Sequence, residues 1–125
     1  MLFTTVLKDN KAFQRCYRNG KYCVCSFVTA YYYPNGSPYN RIGITAGKKQ
    51  GCAVERNRIK RIIRAGYRLS EDRLPLGYDI VFVGRNDIKE KKSTDIQRFI
   101  CKRLAKYMEK NSEKFGGNFR KKKKK

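Results

Sequence analysis

With 125 residues, 40% of them hydrophobic, the chain has the size of one ordinary domain and enough apolar material for a core. Its 31 Lys and Arg against 10 Asp and Glu give a net charge of +21, a self-repulsion that a polyanion would offset, nucleic acid first and an acidic membrane surface second. The absence of histidine, the thin spread of acids and the lack of any apolar run of roughly 18–20 residues argue against a self-sufficient phosphodiesterase centre and against a membrane span.

The first residues, Met1-Leu2-Phe3-Thr4-Thr5-Val6, lack the basic flank and long apolar stretch of a signal peptide, which points to the cytoplasm. A first helix is predicted with Asp9 or Asn10 as its cap and Asn19-Gly20 as its stop. Its apolar residues are Ala12, Phe13, Cys16 and Tyr17, and on residue type alone Phe13 and Tyr17 read as ordinary core. Residues 22–33 are rich in β-branched and aromatic side chains and predict a strand, or two short strands with a kink. Pro34-Asn35-Gly36-Ser37-Pro38 is a turn cluster, and residues 41–46 alternate as a further strand with Ile42 and Ile44 on one face. A basic, glycine-rich loop follows, Gly47-Lys48-Lys49-Gln50-Gly51.

A second helix is predicted over residues 53–69, with Pro75 and Gly77 punctuating the loop after it. Residues 78–83 are almost continuously apolar, the pattern of a strand at the centre of a sheet. A third helix starts near Ser93 or Thr94. Its Ile96, Phe99, Ile100, Leu104, Tyr107 and Met108 recur at the spacing of a buried stripe. Residues 1–115 are read as one domain and residues 116–125 as a disordered basic tail. Without the six positive charges of residues 120–125 the chain still carries +15 of its +21, so the domain itself is basic. The element order predicts an α+β domain in which helices pack on a small mixed sheet, a ribosomal-protein-like two-layer sandwich.

The five cysteines, Cys16, Cys23, Cys25, Cys52 and Cys101, form no Cys-x-x-Cys pair, and their number is odd. They read as small buried or strand residues rather than as a metal or redox site.

The informative segment is Ala53-Val54-Glu55-Arg56-Asn57-Arg58-Ile59-Lys60-Arg61-Ile62-Ile63-Arg64. On a helix, Arg56, Lys60, Arg64, Asn57, Arg68 and Arg61 fall within an arc of about 140°. Leu69, Ile62, Gly66, Ile59 and Ile63 fall on the opposite arc, from about 220° to about 340°. Five cations and one amide thus form a stripe opposite the apolar face, with Arg58 off it at about 200°. A solvated helix face ordinarily mixes signs to limit i,i+4 repulsion. Here Glu55 is the single acid beside the stripe, which favours a face that phosphates neutralise.

Ala-Val-x-Arg-Asn-Arg-x-Lys-Arg-x-x-Arg, here residues 53–64, resembles the signature of the bacterial ribonuclease P protein family. Arg41-Ile42-Gly43-Ile44-Thr45 with Lys48-Lys49, and Phe13-Gln14-Arg15-Cys16-Tyr17 before Asn19-Gly20, resemble that family's strand, basic loop and first helix. The resemblance spans residues 9–104 and the element order α-β-β-β-α-β-α. It implies an endoribonuclease whose RNA partner performs the Mg2+-dependent hydrolysis, while the protein holds no cofactor or metal and has no catalytic residue of its own. It further implies that Lys48, Lys49, Arg56, Asn57, Arg58, Lys60, Arg61, Arg64 and Arg68 meet the catalytic RNA. Phe13, Tyr17 and, from a strand, Tyr31 would line a cleft for the single-stranded 5′ leader of precursor tRNA. Stacking on such rings tolerates any base, as a subunit that accepts many leaders requires. A ribosomal or ribosome-associated RNA-binding protein would share the charge but not the Arg-Asn-Arg segment beside an aromatic first helix. A DNA regulator is disfavoured, because a strand and a glycine loop, not a partner helix, precede the basic helix.

Overall fold

The computed structural model describes residues 4–7, 9–46, 51–85, 88 and 90–110. The proposed tail, residues 116–125, and the basic-loop residues Lys48 and Lys49 lie outside them. The apolar run near residue 80 forms a strand, Tyr78–Gly84, with every residue but Val83 buried. It occupies the middle of the sheet, as a two-sided apolar strand must. Numbered along the chain, the elements are β1 (Thr4–Val6), α1 (Asn10–Asn19), β2 (Lys21–Val24), β3 (Val28–Pro34), β4 (Asn40–Thr45), α2 (Ala53–Ser70) and β5 (Tyr78–Gly84). The last helix begins as α3 (Ser93–Phe99), widens into a π-helical stretch (Ile100–Leu104) and ends as α4 (Ala105–Lys110).

Among the described residues the strands make one mixed sheet of order β1-β4-β5-β3-β2. β1 and β5 run parallel to β4, whereas β3 is antiparallel to both β5 and β2. The aromatic stretch predicted as one or two strands is a hairpin of β2 and β3, with Tyr22 paired to Tyr31. β1 is an addition to the predicted order. Three residues carry no periodic signal, and Thr4–Val6 becomes a strand only by pairing with Asn40–Ile42 across the fold.

Most of the core lies between the sheet and the helices α2 and α3. There Tyr32, Ile80 and Phe82 meet Ile59, Ile63, Tyr67, Ile96, Ile100 and Leu104, all fully buried. This is the expected packing of helices on a small mixed sheet. A second, smaller cluster lies on the other face, where Leu7, Ala12 and Cys16 cover Val81. α1 therefore lies across part of the opposite side of the sheet. Asp9 caps it by accepting from the Lys11 amide at 3.0 Å. Gly20 ends it with an ordinary negative φ, and a Cβ there would come within 2.6 Å of the Cys16 carbonyl oxygen, so close packing rather than a left-handed turn selects glycine.

Buried polar groups fasten the edges. Asp79 accepts two hydrogen bonds from Arg41, at 2.7 and 2.8 Å, and one from Asn35 at 3.1 Å. Asn40 accepts from the Tyr78 amide at 2.9 Å and donates to the Pro75 carbonyl at 3.1 Å. Expectations about burial fail at two residues outside the cationic helix. Tyr107, assigned to the buried stripe, is 39% exposed and turns its ring edge-on to Tyr32. The wider π turn before it shifts the helical phase. Cys52, grouped with buried or strand cysteines, is exposed at the start of α2.

Candidate nucleic-acid interface

α1 leaves open the outer part of the sheet face it crosses. Phe13 reaches the sheet over Gly43, where a Cβ would lie 2.7 Å from the ring's Cε1, so glycine is what lets the ring in. One turn later Tyr17 lies 6.5 Å from Phe13, centroid to centroid, and 5.0 Å from Tyr31 on β3 in an edge-to-face arrangement. Tyr31 continues to Tyr22 on β2 at 5.8 Å. The result is a row of four rings, Phe13, Tyr17, Tyr31 and Tyr22, running from α1 to the sheet edge. Phe13 and Tyr31 are half-buried, Tyr17 is 38% exposed and Tyr22 is 57% exposed. Partial burial pushes the Tyr17 phenol upward and outweighs the opposing influence of the nearby Thr45 side chain, so it is neutral at physiological pH. A row of rings with open faces offers stacking surface without selecting a base.

The cationic helix lies on the other side of the sheet. α2 spans Ala53–Ser70 and begins beside the carboxyl ends of β4 and β5. There a Cβ on Gly84 would stand 3.4 Å from Ile59 and 3.8 Å from the Thr45 carbonyl oxygen. Thr45 also neighbours Tyr17, so the aromatic row and the start of α2 meet at one end of the sheet.

Asn57, Arg58, Arg61 and Arg68 are exposed, whereas Arg56, Lys60 and Arg64 are half-buried along one flank. The solvent-facing arc is thus rotated from the expected one, and two assignments change. Arg58, set off the stripe, stands on the exposed face with Arg61 and Arg68. Leu69, placed on the buried arc, is 54% exposed. The cause is Tyr67, which the helical wheel puts at about 20°, inside the cationic arc. It is fully buried, its ring 6.0 Å from Phe82 and its hydroxyl 2.8 Å from that of Thr4.

A family profile described as Ribonuclease P matches residues 3–108. The chain belongs to the ribonuclease P protein family. It is 42% identical over 102 residues to the "Ribonuclease P protein component" of Caldanaerobacter subterraneus subsp. tengcongensis, covering 82% of this chain and 88% of that one. The protein of the same name from Clostridioides difficile is 38% identical over 98 residues, covering 78% and 86%. Among solved structures, the Thermotoga maritima RNase P protein superposes with a TM-score of 0.72 at 25% identity, covering 82% of this chain and 96% of that one. The Staphylococcus aureus RNase P protein superposes with a TM-score of 0.68 at 29% identity, covering 91% and 98%. The role of the chain is that of the protein component of ribonuclease P, a ribonucleoprotein of tRNA processing.

Within that ribonuclease P framework, the structure brings together the three aromatics singled out in the sequence, Phe13, Tyr17 and Tyr31. The residue that sequence reasoning missed is Tyr22. Its signal was available: in a hairpin, a tyrosine opposite Tyr31 shares its face, but the register had to be known first. No group of three or more metal-ligating side chains occurs among the described residues. None of the described helices is long and apolar enough to cross a membrane.

Proposed function

We propose that the chain is the subunit that holds the single-stranded 5′ leader of precursor tRNA while the ribonuclease P RNA, with its own Mg2+, hydrolyses the phosphodiester that releases it. The observation that carries this reading is the row of four partly open rings beside a cationic helix in a member of the ribonuclease P protein family. Phe13, Tyr17, Tyr31 and Tyr22 offer faces for leader bases. Arg58, Arg61, Arg68 and Asn57 on the exposed face of α2, with Arg56, Lys60 and Arg64 along its flank, meet phosphates of the catalytic RNA; Lys48 and Lys49 are assigned to the same contact from sequence. The protein then contributes affinity and position, and no side chain of its own acts on the scissile bond. The working compartment is the cytoplasm.

The test is reconstitution with a bacterial ribonuclease P RNA. Phe13→Ala should weaken binding of precursor tRNA by roughly 1–3 kcal/mol, the loss of one stacking partner, and leave mature tRNA binding unchanged. In the same system Arg61→Ala should lower the log–log salt slope of RNA binding by roughly 0.7–0.9 without changing the unfolding midpoint. Equal losses for precursor and mature tRNA would overturn the leader assignment. Cleavage by the RNA-free protein at the rate of the complex would overturn the division of labour.

A further inference from the structure

The row of rings does not end at Tyr22. Tyr22 also lines a groove at the outer edge of β2, together with Cys23, Val24, Arg103, Lys106 and Tyr107. Arg103 and Lys106 are exposed on the last helix, and Val24 and Tyr107 keep 44% and 39% of their surface. Among the described residues no acid lines the groove. Cations beside an edge strand are a common guard against strand pairing. A guard does not require aromatic faces, yet here Tyr22 and Val24 on the strand and Tyr107 on the helix keep open surface along the same groove as the two cations. Aromatic faces alternating with positive charge are the composition of a single-strand nucleic-acid track.

We propose, building on the leader-binding reading, that this groove is a second leader subsite: RNA leaving the row of rings passes over Tyr22 and turns around the β2 edge, with backbone phosphates on Arg103 and Lys106 and a base against Tyr107. The continuity is physical, because Tyr22 belongs to both surfaces. The occupant is therefore the distal part of the same strand, not a separate RNA.

The experiment uses the full chain reconstituted with ribonuclease P RNA and precursor tRNAs whose leaders run from roughly four to roughly sixteen nucleotides, the span of single-strand sites. With the native protein, affinity should rise with leader length in two stages. Arg103→Gln combined with Lys106→Gln should remove the second stage, weakening the longest leader about 3- to 30-fold and leaving the shortest unchanged. Both side chains are exposed, so the unfolding midpoint should hold. Equal weakening at every length, mature tRNA included, would mean that the cations touch the catalytic RNA. No weakening at any length would mean that the groove is unused, and either result overturns the proposal. A Phe13→Ala arm separates the two readings. If it leaves short-leader binding intact while the double variant still loses the second stage, the groove stands and the cleft assignment falls.

Discussion

On one face of the sheet Tyr32, Ile80 and Phe82 lie fully buried beneath α2 and α3. On the other, α1 covers Val81, while Tyr22 and Val24 stay open beyond it. The same strands supply both faces by simple alternation, so the difference comes from what lies above them. α2 and the whole last helix, from Ser93 to Lys110, cover one side, and a single helix of 10 residues covers part of the other. Apolar surface stays exposed only where no further element arrives, and that uncovered strip is the surface we propose for a nucleic acid. The contrast also separates two roles of aromatic side chains. Phe82 and Tyr67 stabilise the fold, whereas Tyr17 and Tyr22 add little to it and are available to a ligand.

The sharpest way to break this contrast is to truncate one ring on each side. Phe82→Ala should cost about 3–5 kcal/mol, since it removes a fully buried ring from the larger cluster. Tyr22→Ala should cost less than about 1 kcal/mol, because more than half of that side chain is already in water. Urea midpoints of the two variants read the difference directly, and similar losses would mean that both faces are structural.

A smaller effect should follow from Gly43→Ala. The new methyl would push into the Phe13 ring, so we expect a loss of about 1–3 kcal/mol as α1 is displaced. Combined with Phe13→Ala, which empties the space, the same substitution should cost much less. This double-mutant cycle in chemical denaturation would refute the close approach if the two losses simply added.

A different kind of effect is a pH dependence. Burial, with Asp79 nearby, pushes the Cys16 thiol under α1 from 9.0 to about 12. Between these values the unfolded chain releases the proton and the folded one keeps it, so stability should fall as pH rises from about 9 towards about 12. Cys16→Ala should flatten that fall without abolishing it, because burial also raises the phenols of Tyr67 and Tyr78. A series of unfolding midpoints from about pH 8 to about pH 11 tests this, and an unchanged slope would exclude the thiol as a contributor.

Local chemistry was legible in the sequence. Asp9 as a cap, Gly20 as a stop, the apolar run at the centre of the sheet and the cationic helix with its Arg-Asn-Arg segment all follow from side-chain type and spacing along a few turns or strands. The family resemblance rested on those same short segments. What the chain could not display were relations between residues far apart in it. β1 is a strand because Asn40–Ile42 offers it a partner, and Tyr22 joins the aromatic row because the hairpin register sets it opposite Tyr31. The exposed arc of α2 turned for a similar reason. Tyr67 sits among the cations on the wheel, yet Phe82 receives its ring and Thr4 its hydroxyl, so that side of the helix faces inward and Leu69 faces out. A helical wheel records direction about an axis, but only the neighbours on the sheet determine which direction is the core.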